Sequence, residues 1–178
     1  NVMLQEILIN NPQYFGAWMI WEPDAFDSQD EQYANKEGHD QTGRFIPYWT
    51  WKGKELYVEP LDLSGEFLER VDFVLQSGED TIFEPYWYET AGEKKLMSSV
   101  VSPVIINGKT IGMTGVDFIL DDLNKRIGEY TFYETGFAGL MSNSGMVLAH
   151  QTVDLIGNNY FDSEAMKGRT DVDEVREA

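Results

Sequence analysis

The side chains able to do chemistry are spread unevenly along this chain, and most familiar reactive sets are missing. There is no cysteine, which removes disulfides, thiolate metal ligands and cysteine nucleophiles. The two histidines, His39 and His150, stand far apart, and neither has a second histidine or a cysteine at metal-ligand spacing. Asp24, Asp27, Asp30 and Glu31 crowd one segment, but they lack the regular Asp-x-Asp-x-Asp-Gly spacing of a calcium loop and read as a solvated acidic stretch. With 31 acidic residues, chance carboxylate pairs are common, so a glycosidase-like pair carries little weight and no nucleophile–base–orienter set stands out. Neither a Walker loop nor a dinucleotide glycine fingerprint is present. The expectation is a protein that is not an enzyme and has no cofactor and no metal site.

What remains is aromatic. Tyr48, Trp49 and Trp51 fall in one run, Tyr86 and Tyr88 in another, Asp117 closes an apolar segment, and Arg44 precedes the first run. Alternating aromatics on strands serve as core or cross-strand pairs at least as often as they cage a ligand. Asp117, placed before an apolar helical pattern, suits an N-cap as well as a ligand contact. In so acidic a chain Arg44 is expected to pair with Asp24, Asp27 or Asp30, with a ligand carboxylate as the other choice. Trp18 and Trp21 cannot share a face at period two unless Gly16 or a bulge intervenes, so one of them is expected in the core.

The elements that must position these residues read as follows. Met3, Leu4, Ile7 and Leu8 lie on one face of a helix over Val2–Asn10, stopped by Asn11-Pro12. An aromatic strand follows over 14–21, then a polar loop from Asp24 to Gly43 with room for a helical turn. Residues 44–51 form a second strand, with Pro47 expected at an edge or bulge, and Lys52-Gly53-Lys54 turns it into a hairpin with Glu55–Val58. Ser64 opens a helix carrying Phe67, Leu68, Val71, Val74 and Leu75, ending at Ser77-Gly78. Strands are expected over 81–89, 95–106 and 109–118, joined by Ala91-Gly92 and Asn107-Gly108. A helix over 120–130 then leads to a strand–turn–strand unit around Asn143-Ser144-Gly145. Helix, antiparallel sheet with an inserted helix, helix and a second sheet make an α+β, PAS-like pattern, not a Rossmann fold.

The net charge of −18 repels a phosphate backbone and an anionic membrane surface, so nucleic acid is excluded as a partner. No run of about 18 apolar residues is available to span a bilayer. Both ends read as boundaries within a longer protein, so any membrane anchor is expected outside this segment.

Several segments in order resemble the double Cache family of bacterial sensor ectodomains: Phe26-Asp27, Gly43-Arg44-Phe45-Ile46-Pro47-Tyr48-Trp49, Phe83-Glu84-Pro85-Tyr86, Ser102-Pro103-Val104, Gly108-Lys109-Thr110-Ile111-Gly112 and Gly115-Val116-Asp117. Tyr133-Glu134-Thr135-Gly136, leading into Asn143–His150, continues the likeness, which covers roughly residues 10–160. The resemblance implies the end of an N-terminal stalk helix over 1–12, a membrane-distal ligand-binding module over 13–131 and a partial, truncated membrane-proximal module over 132–178. It further implies a periplasmic domain of a bacterial inner-membrane receptor such as a methyl-accepting chemotaxis protein, with a homodimer formed through the stalk helix.

The resemblance also implies where a ligand binds: at positions that here carry Tyr48, Trp49, Trp51, Tyr86, Tyr88 and Asp117, with Arg44 beside them. Family members that bind amino acids place an arginine before the proline of the first motif, where this chain has Ile46, and acids where Trp51 and Tyr88 stand. Aromatic faces and one carboxylate suit an amine or a quaternary ammonium. An amino-acid or small-carboxylate sensor of the same fold is the alternative, and an acidic surface or adhesion module without a pocket is the reading from another class.

Overall fold

The computed structural model describes residues 2–90, 92–134, 136–162 and 167. Its contacts divide the chain into two units that are not collinear with the sequence. The first takes residues 1–83, 91–93 and 99–118, and the second takes 84–90, 94–98 and 119–178.

In the first unit, helix α1 spans Val2–Asn10. Leu4 and Leu8, one turn apart, are fully buried, whereas Met3 is 60% exposed. The apolar face is therefore narrower than the sequence pattern suggested: a rotation of about 100° per residue carries Met3 off the line through Leu4 and Leu8. The strands in chain order are β1 (Gly16–Trp21), β2 (Pro47–Lys52), β3 (Glu55–Pro60), β4 (Thr81–Ile82), β5 (Tyr86–Thr90), β6 (Glu93–Ile106) and β7 (Lys109–Ile119), of which β5, residues 94–98 of β6 and residue 119 of β7 fall in the second unit. Within the sheet the order is β3-β2-β1-β7-β6-β4, and β5 also pairs with β6. Between β1 and β2 lies the polar loop with one short helix, α2 (Asp30–Tyr33), and between β3 and β4 lies α3 (Gly65–Ser77).

Pro47 is neither at an edge nor in a bulge: β2 is an interior strand, and Pro47 is its first residue, opposite Pro60 of β3. Pairing with β1 begins only at Tyr48, so the missing N–H removes no ladder bond on that side. The single strand expected over 81–89 is split, because Phe83-Glu84-Pro85 interrupts it between β4 and β5. Ser64 sits at the N-cap of α3 in extended geometry, but its side chain makes no cap bond. Asn107 and Gly108, with φ of 52° and 78°, make the tight turn from β6 to β7, the conformation that favours Asn-Gly in a two-residue hairpin. Of the other expected turn residues, Ala91 lies outside the described residues.

The period of two sorts the sheet's side chains. Ala17, Met19 and Trp49 join Leu4, Leu8 and Phe45 in one cluster, with Trp21, Trp51, Leu56, Val58 and Val116 packed around it. This is the face that α1 covers. On the other face α3 contributes buried Phe67, Val71 and Val74, each worth roughly 1.5–3 kcal/mol of burial.

The second unit has its own core of Leu96, Leu120 and Leu148, ringed by Leu123, Leu140, Met146 and Ile156. Helix α4 spans Asp121–Gly128, followed by the short strands β8 (Thr131–Phe132), β9 (Gly136–Phe137), β10 (Leu140–Met141) and β11 (Val147–Ala149). β8 pairs with β9 and β10 with β11. Thr135 of the expected linker and much of the expected membrane-proximal module, residues 163–166 and 168–178, lie outside the described residues. Among the described residues, no helix is long and apolar enough to cross a membrane.

Candidate functional site

Three strands bring a carboxylate and two aromatic rings together on the α3 face of the first unit's sheet. Gly16 on β1 is opposite Thr50 of β2 on one side and Asp117 of β7 on the other. Trp18, two residues on, is opposite Tyr48 and Gly115. Directly paired residues share a face, so Trp18, Tyr48, Thr50 and Asp117 point the same way.

Glycines make this arrangement possible. A Cβ on Gly16 would lie 2.5 Å from the Tyr48 hydroxyl and 2.9 Å from Asp117 Oδ2, and one on Gly115 would lie 2.3 Å from the Trp18 ring. The Tyr48 ring therefore lies over Gly16 and the Trp18 ring over Gly115, where any larger residue would lift them off the sheet.

Asp117 is 1% exposed. Its Oδ1 accepts hydrogen bonds from the Trp18 indole Nε1 at 2.8 Å and the Ser99 hydroxyl at 2.7 Å. The Tyr48 hydroxyl lies on the Oδ2 side of the carboxyl, where a Cβ on Gly16 would meet both. Burial pushes the Asp117 carboxyl above the ordinary aspartate range, while Trp18, Ser99 and Tyr48 hold it back, and no basic group is among these influences. Phe67 of α3 meets the Trp18 ring edge-on at 6.0 Å, and Phe83 meets Phe67 at 6.1 Å. Towards the β3 edge, Glu59 is opposite Tyr48 and accepts a bond from the Tyr57 hydroxyl at 3.2 Å. The Glu59 charge, helped by burial, holds the Tyr57 phenol above its usual range.

Of the residues singled out in the sequence, the structure brings Tyr48 and Asp117 together and places the others elsewhere. Trp49 and Trp51 belong to the cluster on the α1 face, so the sheet itself stands between them and Asp117. Arg44 does not pair with Asp24, Asp27 or Asp30. Its guanidinium meets Glu22 at 2.8 Å and donates to the Trp21 carbonyl, because Glu22 leaves β1 beside the point where Arg44 approaches β2. Tyr86 and Tyr88 stand on β5, in the second unit, with ring centroids 6.2 Å apart. Asp117 is not an N-cap either: α4 begins four residues later, with Leu120 at the cap position. Two residues at the carboxylate escaped selection. The sequence places Trp18 between core and pocket, and its signal is the glycine two residues before Asp117; Ser99 carries no signal in the local sequence.

An antiparallel sheet with a helix on each face and a buried polar cluster beneath one of them is an α+β domain of the PAS-like kind. Residues 1–125 match the family described as "Methyl-accepting chemotaxis protein-like, first PDC sensor domain", and the chain belongs to that family. The methyl-accepting chemotaxis protein TlpQ of Pseudomonas aeruginosa is 25% identical over 176 residues, which cover 85% of this chain and 24% of TlpQ. Among solved structures, the extracellular domain of mmHK1S-Z3, described as a histidine kinase, superposes with a TM-score of 0.85 at 33% identity, covering 99% of this chain and 62% of that one. "Methyl-accepting Chemotaxis protein X" superposes with a TM-score of 0.77 at 28% identity, covering 99% of this chain and 64% of that one. The chain thus spans about a quarter of TlpQ and under two thirds of these solved domains. It is an extracellular ligand-sensing domain of this family.

Proposed function

We propose that the first unit senses a small organic cation, an amine or a quaternary ammonium, with Asp117 as countercharge and the rings of Trp18 and Tyr48 as apolar faces. The observation that carries this reading is a fully buried carboxylate whose donors, Trp18 and Ser99, are both neutral, with the neutral Tyr48 hydroxyl beside them. A charge taken out of water without an opposite partner costs several kcal/mol. A bound cation supplies that partner. Ring faces add about 2 kcal/mol for a desolvated cation, and pairing with the Asp117 charge adds to this. The net charge of −18 favours cation approach.

The groups that would clamp a ligand carboxylate are weakly represented. Ile46 is buried where amino-acid-binding relatives are expected to carry arginine, and Arg44 is engaged with Glu22. The chemoreceptor domains PctB, in complex with L-Arg, and PctC, in complex with GABA, share the fold with TM-scores of 0.53 and 0.52 at 19% and 15% identity. Each of those ligands carries an ammonium group, the part that an aspartate pairs with.

A route for the signal accompanies this reading. Tyr48 faces Asp117 while its neighbour Trp49 packs with Leu4 and Leu8 of α1, so a shift of β2 at the site passes to the helix. In the whole receptor, α1 then biases a dimer between two states.

A thermal-shift screen of alkylamines, quaternary ammoniums, amino acids and small carboxylates tests the reading, since a ligand bound only by the folded state raises the midpoint with occupancy. Saturable shifts with cations that disappear in Asp117→Asn are expected. Shifts with carboxylates alone would contradict the cation reading and favour an acid or amino-acid sensor.

A further inference from the structure

We propose that Asp117 meets its ligand through one oxygen only, because Trp18 and Ser99 fill the other, and that the site therefore takes ammonium ions in preference to guanidinium ions. This rests on the cation reading above and narrows its ligand class.

An ionised carboxylate offers about four lone-pair positions, two on each oxygen. At Oδ1 both are occupied, by the Trp18 indole at 2.8 Å and the Ser99 hydroxyl at 2.7 Å. Oδ2 lies on the side of the Tyr48 hydroxyl, as the distances of 2.9 Å and 2.5 Å from a Cβ built on Gly16 show. Both donors thus converge on Oδ1, and Oδ2 is the oxygen left to face a ligand.

A guanidinium owes its strong pairing with carboxylates to a fork of two parallel N–H bonds, one to each oxygen. Here that fork would have to expel Trp18 or Ser99 from Oδ1. Both residues are fully buried, so the expelled donor would be left without a partner. A primary ammonium is a compact point charge whose three rotatable donors pair with a carboxylate through a single oxygen and require no fork across both. A quaternary ammonium needs no acceptor and is held by charge and ring faces. Trp18 and Ser99 are thus positioning residues that set which cation fits. Glu59, a further carboxylate on this face, pairs across the strands with Tyr48 and not with the Asp117 row, so it leaves the Oδ1 side unchanged.

Calorimetric titration of the 178-residue chain with n-propylammonium and n-propylguanidinium tests the proposal. Wild type is expected to favour the ammonium by about tenfold, the cost of stranding one buried donor. Ser99→Ala, which opens one position on Oδ1, is expected to bring the two affinities together, while Ser99→Thr keeps the hydroxyl and the wild-type ratio. Trp18→Phe opens the other position and gives the same convergence should Ser99→Ala fail to fold. Equal affinities in wild type, a preference for guanidinium, or an unchanged ratio in folded Ser99→Ala would overturn the proposal while leaving the cation reading in place. Binding of neither ion by folded wild type would overturn both.

Discussion

Gly16→Ala is the smallest change that reaches the centre of the site. The new methyl would sit 2.5 Å from the Tyr48 hydroxyl, 2.7 Å from Tyr48 Cζ and 2.9 Å from Asp117 Oδ2, where ordinary contact begins at 3.4 Å. Tyr48 would have to retreat by about 1 Å, yet it is buried on an interior strand between β1 and β3. Overpacking of this kind costs about 1–3 kcal/mol. Replacing a strand glycine returns roughly 0.5–1 kcal/mol, since Gly16 holds no left-handed conformation. The net loss is about 1–2 kcal/mol, a fall in Tm of roughly 2–8 °C for a chain of this size. Differential scanning calorimetry measures it, with Gly128→Ala as the control, because a Cβ there meets nothing within 4 Å. The substitution should also remove cation-dependent stabilisation, since the displaced Tyr48 ring is one wall of the site. A Gly16→Ala protein with wild-type Tm and undiminished response to cations would refute the packing argument.

Two further outcomes follow from the same geometry. Because the folded Asp117 carboxyl lies above its ordinary value of 3.8, the native state holds that proton more tightly than the unfolded chain. Its contribution to stability is complete below the unfolded value and is lost as pH rises through the folded one. Without ligand, Asp117→Asn should therefore gain in Tm relative to wild type as pH is raised from about 4 to about 8; a constant difference across that range would show that burial does not disfavour the carboxylate. Trp49→Phe should lower stability by about 1–3 kcal/mol through a cavity against α1, yet leave cation affinity within about twofold. A large affinity loss in calorimetric titration would return Trp49 to the ligand site.

Locally determined features were legible in the sequence. The Asn107-Gly108 turn and the limits of α1 depend on a few adjacent residues, and both stand where turn and helix rules put them. The order of elements, and with it the sensor fold, was legible for the same reason. What was lost concerned faces and distant partners. The family resemblance implies one ligand site for Tyr48, Trp49 and Trp51, although alternation on a strand separates Tyr48 from the other two. Trp18 and Asp117 lie 99 residues apart, and only the register of β1 against β7 brings them together. Gly16 and Gly115 were the available clue, since each stands two residues before a site residue on its strand, where a facing ring needs bare backbone. The partner of Arg44 depended on the path of an irregular loop, and abundant acids made Asp24, Asp27 and Asp30 look equivalent to Glu22. The two units could not be read as consecutive segments because β6 serves both: residues 94–98 belong to one and 99–106 to the other.

The central claim, that a cation is bound at Asp117, can be read directly from the indole N–H signals of the five tryptophans. Trp18 donates to Asp117, whereas Trp49 and Trp51 pack on the α1 face. In a 1H–15N titration with an alkylammonium ion, the Trp18 indole, assigned through Trp18→Phe, is predicted to move first and saturably, and to stay still in Asp117→Asn. Saturable movement of Trp49 or Trp51 with Trp18 unmoved would contradict the account and place the ligand on the other side of the sheet.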